Sequence, residues 1–286
     1  MSVIVRSIFL VFFLTFLSSC AQQNLVARVS YADELASRAS FKKEVLKTQN
    51  FYLLTYSRIN DASQQLNVYI EGDGFAWKNK YVASDNPTPK NPLALKLAIS
   101  DPNQNILYVA RPCQYVDLKL DGLCQKKFWT NGRFAKEVIA STNEVIETFV
   151  KRRGFKKVNL FGYSGGGAVA VLVAALRDDV ALIGTVAGNL NHKKLSEIHN
   201  ISPLDDSLDA IDVAEKVKNI PQFHLIGGKD RAVPPEVVMS FVRKVNTPFG
   251  DAKFEIIEEA GHQYDKWDEV VVNFLSTRNK DSAKLK

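Results

Sequence analysis

The stretch from Val158 to Ala168, Val-Asn-Leu-Phe-Gly-Tyr-Ser-Gly-Gly-Gly-Ala, sets one serine among glycines where an apolar strand pattern gives way to a helical one. Residues 156–161 read as a short buried strand, and Ala168 to Leu176 is an alanine, valine and leucine run suited to a helix packed on a sheet. A strand that turns straight into a helix around Gly162-x-Ser164-x-Gly166 leaves room only for small residues two positions either side of the serine. The hydroxyl then stands exposed at the C-terminal edge of a sheet, an arrangement called a nucleophile elbow. Ser164 is therefore the first candidate nucleophile. A phosphate cradle fits less well, because the Walker pattern continues Gly-Lys-Ser/Thr and this loop continues Gly-Ala-Val.

A serine nucleophile needs a general base and a group to orient that base. Pro221 to Gly227 reads as a buried strand and runs into Gly-Lys-Asp-Arg-Ala-Val-Pro, which puts Asp230 just past a strand end. Phe254 to Ile257 reads as a further strand followed by Glu-Glu-Ala-Gly-His, so His262 follows a strand end too. In a parallel sheet such loops gather on one edge. The loop after the strand at 180–187 begins Gly-Asn-Leu-Asn, with no early carboxylate, which favours Asp230 over Asp205 or Asp206 as the acid. His224 alternates within a strand and reads as a core residue, while His192 and His199 fall in a polar connection.

With Ser164, Asp230 and His262 in that chain order, the sequence resembles the α/β-hydrolase superfamily over most of its length. The motifs carrying the resemblance are Gly-Tyr-Ser-Gly-Gly at 162–166, Gly-Gly-Lys-Asp-Arg-Ala-Val-Pro at 227–234 and Gly-His at 261–262. It implies an α/β fold, with a mostly parallel central sheet, helices on both faces and no large cap domain. The segment from Gly188 to Ser207 is where many lipases insert a lid, and at about twenty residues it is too short for more than a small flap. The resemblance also implies an oxyanion hole, with one donor from the N–H of Gly165 and the other from the loop after the strand at 66–71, at Asp73 or Gly74. That loop, Gly-Asp-Gly-Phe-Ala-Trp, is similar to the His-Gly-Gly-Gly type, with Glu71 where histidine is usual and Asp73 where a glycine is usual.

The chemistry implied is acyl transfer through a covalent intermediate. A carboxylic ester is the leading substrate, a small molecule or lipid-like, and no metal or organic cofactor is required. The alternative is a non-catalytic lipoprotein of the same fold that binds an envelope component. Glu71 and Asp73 beside the expected oxyanion site are the features that speak for it.

Other expected elements alternate along the chain: strands near 51–56 and 105–110, and helices at 93–99, 133–153, about 207–218, 235–245 and 265–277. Such alternation implies right-handed crossovers and a mostly parallel sheet. Residues 20–45 read as a tether and first helix, and 46–286 as one hydrolase domain.

The N-terminus speaks to location. Residues 1–19 hold one basic residue, Arg6, then the apolar run Ile8 to Leu17, and have the parts of a signal peptide. Leu17-Ser18-Ser19-Cys20 resembles a bacterial lipobox, which implies acylation of Cys20 and a membrane anchor through lipid. The following Ala-Gln-Gln, with no aspartate, favours the outer membrane facing the periplasm. Cys113 and Cys124 are then left as a disulfide pair, the alternative being two reduced cysteines in a cytosolic protein. The net charge of +6 is scattered in short Lys/Arg clusters, and no nucleic-acid partner is expected.

Overall fold

Side-chain alternation along the central strands sorts two hydrophobic layers to opposite faces of one sheet. In β3 (Leu66–Ile70), Leu66, Val68 and Ile70 enter one layer and Tyr69 the other, and in β6 (Asn105–Val109) Leu107 and Val109 oppose Ile106 and Tyr108. The structure is a computed structural model that describes residues 24–60 and 65–284, with side chains described as far as Ser276.

The chain begins with helix α1 (24–38), followed by β1 (Lys42–Lys47), β2 (Tyr52–Ile59) and β3. A small two-stranded ribbon, β4 (Trp77–Asn79) and β5 (Val82–Ala83), precedes α2 (Leu93–Ser100) and β6. The alternation of helix and strand then runs through α3 (Lys136–Arg153), β7 (Val158–Tyr163), α4 (Gly165–Ala174), β8 (Val180–Val186), α5 (His192–His199), α6 (Ala214–Val217), β9 (Gln222–Gly227), α7 (Pro235–Val245), β10 (Ala252–Ile257) and α8 (Trp267–Lys284). The eight-stranded sheet has the order β1-β2-β6-β3-β7-β8-β9-β10. β1–β2 and β2–β6 pair antiparallel, and every pairing from β6 to β10 is parallel. Helices α3, α4, α6 and α7 pack into one layer and α1, α2 and α8 into the other. α4 is buried along its whole length, as its unbroken Gly, Ala, Val and Leu composition requires.

Three expectations change. The sheet starts at Lys42, inside the stretch expected to be tether and helix. β1 is an edge strand, Lys-Lys-Glu-Val-Leu-Lys, and only Leu46 is buried, so its lysines hide the strand pattern while blunting the edge. α1 belongs to the core as well, with Ala32 and Ala36 fully buried. The polar connection after β8 contains α5, and the helix expected over 207–218 is instead a 3-10 turn at Ala210–Val213 leading into the short α6. Asn191 caps α5, its side-chain oxygen accepting the Lys194 N–H at 2.9 Å, and the Asp209 carboxylate accepts the N–H groups of His192 and Lys193, at 3.2 Å each, which ties the residue ahead of the 3-10 turn to the start of α5. Cys113 and Cys124 form a disulfide with Cα atoms 5.4 Å apart. The signal segment and Cys20 lie outside the described residues.

Candidate active site

β7 ends at Tyr163, and the chain turns into α4 through Ser164, whose φ of 53° and ψ of −122° no ordinary strand or helix residue adopts. The flanking glycines are obligatory. A Cβ on Gly162 would stand 2.1 Å from the Gly166 carbonyl oxygen, and one on Gly166 would stand 2.2 Å from that of Ile70. The strained turn is pinned by hydrogen bonds on both sides. Ser164 N–H donates to the Val186 carbonyl at 2.9 Å, and its own carbonyl accepts from the N–H groups of Gly167 and Asn189, each at 3.0 Å.

Asp230 follows β9 and its side chain is fully buried. One oxygen, Oδ1, accepts the N–H groups of Ala232 and Val233, each at 2.8 Å, which leaves Oδ2 for His262 Nδ1 at 2.7 Å. A carboxylate can only accept, so Nδ1 carries the proton and Nε2 is left as the acceptor, 3.0 Å from Ser164 Oγ. His262 follows β10, and its carbonyl accepts from the Tyr163 hydroxyl at 3.0 Å and the Trp267 indole N–H at 3.2 Å. The parallel sheet thus brings three residues spread over 98 positions into one hydrogen-bonded line.

The loop after β3 lies against Ser164: a Cβ on Gly72 would stand 3.3 Å from Ser164 Cβ. Gly74 has a φ of 66°, and a Cβ there would meet the Pro87 carbonyl at 2.1 Å. The Asp73 carboxylate rests on Gly165, where a Cβ would come within 2.1 Å of Oδ1. Among the described residues, the N–H groups of Gly165, Asp73 and Gly74 donate to no other protein group.

The two carboxylates of this loop are shifted in opposite directions. Glu71 turns toward α2 and accepts from the N–H groups of Gly72 (2.9 Å) and Ala94 (3.4 Å) and from the Tyr108 hydroxyl (3.2 Å). Burial pushes its carboxyl up to about 7, against the pull of those neutral donors. Burial would raise Asp73 as well, but Arg133 Nη1 at 2.7 Å and Arg111 Nη1 at 3.1 Å outweigh it and hold the carboxyl below its ordinary value. Arg111, two residues before the disulfide, also donates to the Arg133 carbonyl, and Arg133 Nε donates to the Thr130 carbonyl at 2.6 Å. Neither arginine sits in a recognisable motif. The only signal in the sequence is that a buried carboxylate needs cations, and those cations come from 38 and 60 residues away.

The remaining histidines lie elsewhere. His224 is fully buried, with Nδ1 2.8 Å from Thr185 Oγ1, and burial lowers it to about 3. His192 is buried on α5, its ring stacked on Phe134, and His199 Nε2 lies 3.1 Å from the Ala232 carbonyl.

No family model and no curated protein matches this chain. Solved structures do. Est1E from Butyrivibrio proteoclasticus is 14% identical with a TM-score of 0.58, over 83% of this chain and 99% of that one. Esterase Pf2001 of Pyrococcus furiosus is 15% identical with a TM-score of 0.59, over 84% of this chain and 94% of that one. The acylaminoacyl peptidase of Pyrococcus horikoshii is 12% identical with a TM-score of 0.59, over 82% of this chain and 41% of that longer one. The chain has the α/β-hydrolase fold. In an α/β-hydrolase the nucleophile stands on a strand-to-helix turn, with an acid and a histidine following in chain order. Here Ser164 stands on that turn, and Asp230 and His262 follow and meet it.

Proposed function

We propose that this protein is a serine hydrolase that cleaves a carboxylic ester or related acyl bond through an acyl-enzyme. The observation that carries the reading is the line from Asp230 to His262 to Ser164, at 2.7 and 3.0 Å, ending on a strained serine. His262 Nε2 takes the Ser164 proton as Oγ bonds to the substrate carbonyl, and then gives that proton to the leaving group as the acyl–leaving group bond breaks. Asp230 keeps the proton on Nδ1 and stabilises the imidazolium. The N–H of Gly165, with that of Asp73 or Gly74, receives the oxyanion. Water then attacks the acyl carbonyl by the same route, releasing the acid and restoring Ser164. Of the structural neighbours, Pf2001 is an esterase and the Pyrococcus horikoshii protein an acylaminoacyl peptidase, which agrees with acyl-bond chemistry.

The same reading makes it a lipoprotein, acylated at Cys20 and held in the bacterial envelope on the periplasmic side of the outer membrane. Leu-Ser-Ser-Cys supports the anchor, and the Cys113–Cys124 disulfide supports an oxidising compartment.

The test is labelling of the signal-less protein with a fluorescent fluorophosphonate. Wild type labels, while Ser164→Ala and His262→Ala do not. A folded wild type that stays dark transfers support to the envelope-binding reading. For the anchor, Cys20→Ala should release the full-length protein from the membrane fraction and abolish incorporation of an alkyne fatty acid.

A further inference from the structure

The ion cluster beside the nucleophile bears on what the site accepts. A carboxylate resting on Gly165, like that of Asp73, would by itself repel both an oxyanion and any anionic substrate. Two guanidinium groups converge on it and reverse the sign, so that one carboxylate faces two permanent cations. Glu71, the other carboxyl nearby, makes its hydrogen bonds to Gly72, Ala94 and Tyr108, and acts on Arg111 through charge alone.

The arginines also keep donors in reserve. Arg111 is only 4% exposed, and its Nε has no partner while its two other nitrogens bond Asp73 and the Arg133 carbonyl. Arg133 uses Nη1 on Asp73 and Nε on Thr130, which leaves Nη2 without an acceptor among the described residues, on a side chain 16% exposed. A planar, partly desolvated guanidinium with a free edge matches the paired oxygens of a carboxylate or phosphate.

We propose that Arg111 and Arg133, clamped by Asp73, form an anion-recognition element that selects acyl substrates bearing a second, negatively charged oxygen group close to the scissile carbonyl. The proposal rests on Ser164 being the nucleophile of a serine hydrolase and names the substrate class of that site. Arg133 is the direct contact. Arg111 shares Asp73 with it and binds its carbonyl, and so positions it.

The experiment uses two fluorophosphonates that differ only at the far end of a short alkyl chain, one a carboxylate and the other its methyl ester. The rate constant for phosphonylation of Ser164 is measured with each. In wild type the charged probe should react about tenfold faster or more. In Arg133→Gln that ratio should fall toward one, and Arg133→Lys should recover part of it. If Arg133→Gln does not fold, competition on wild type serves instead: slowing of the neutral probe by glutarate marks carboxylate recognition, and slowing by inorganic phosphate marks phosphate recognition. Equal reactivity of the two probes with wild type overturns the proposal and leaves the hydrolase reading intact. So does a preference that survives in Arg133→Gln, and so does failure of both anions to compete. Wild type that reacts with neither probe overturns the hydrolase reading itself.

Discussion

The two sides of the active edge are held together in different ways. At the ends of β7, β9 and β10, polar groups are satisfied close by: Asp230 by its own loop, His262 by Asp230, Tyr163 and Trp267, Ser164 by neighbouring backbone. At the ends of β3 and β6, charges from loops distant in sequence hold one another, through Asp73, Arg111 and Arg133, with the disulfide nearby. The first side depends on sheet geometry and one short line of hydrogen bonds. The second depends on balance among buried charges, where the loss of one partner leaves another uncompensated. Glu71 and Asp73 show how local that balance is. Both lie in the same loop, two residues apart, yet burial among neutral donors raises one and a pair of arginines lowers the other.

Substitutions can therefore separate the two sides. On the triad side, Asp230→Asn should lower the fluorophosphonate labelling rate by about 10⁴-fold, through the wrong imidazole tautomer. Stopped-time gel fluorescence reads this directly, and a change below tenfold would remove Asp230 from the relay. On the loop side, Asp73→Asn should cost about 3–5 kcal/mol in a denaturant titration, because Arg111 and Arg133 are left facing each other with little water. A loss under 1 kcal/mol would mean the arginines relax to solvent and the cluster is not a structural unit. Replacing Cys113 and Cys124 by alanine should cost about 3 kcal/mol by the loop-closure estimate. Reducing agent should lower the wild-type melting temperature in step and leave the double variant unmoved.

The pH dependences are gradual, and they have opposite signs. Glu71 is raised to about 7 by burial, so the native state holds its proton where the unfolded chain has lost it, and stability falls as pH rises from about 4.5 to 7. His224 is lowered to about 3, so the unfolded chain takes up a proton that the native state refuses, and stability falls as pH drops from about 6.5 toward 3. Where the windows overlap the two slopes oppose each other, each at most ~1.4 kcal/mol per pH unit. Unfolding free energies across this range should show Glu71→Gln gaining on wild type as pH rises and His224→Gln gaining as pH falls. Parallel curves for wild type and both variants would mean that neither group changes its protonation on folding.

The same division governs what could be read from the chain. Ser164, Asp230 and His262 were legible because each lies within a few residues of a strand end, and a parallel sheet carries strand ends to one edge. α7 was legible to the residue because Pro235 opens it, Glu236 lies in its first turn, and Arg243 and Lys244 lie in its last. β1 escaped because an edge strand rich in lysine has too little apolar alternation to stand out. α5 escaped because it is only eight residues long with just His192 and Ser196 buried, and because Asp209, which also binds its first N–H groups, lies 17 residues downstream of His192. The arginine clamp is the sharpest case. Asp73 was visible as an anomaly in the loop after β3, but no pattern within the chain joins it to residues 38 and 60 positions away.

The central claim is that the line from Asp230 through His262 makes Ser164 a nucleophile. Its most direct test is to treat the folded protein with a fluorophosphonate and locate the adduct by peptide mass spectrometry. One phosphonyl group per chain is expected, on Ser164, absent when His262 is replaced by alanine. An unmodified serine in protein that remains folded, or a modification elsewhere that is indifferent to His262, would contradict it.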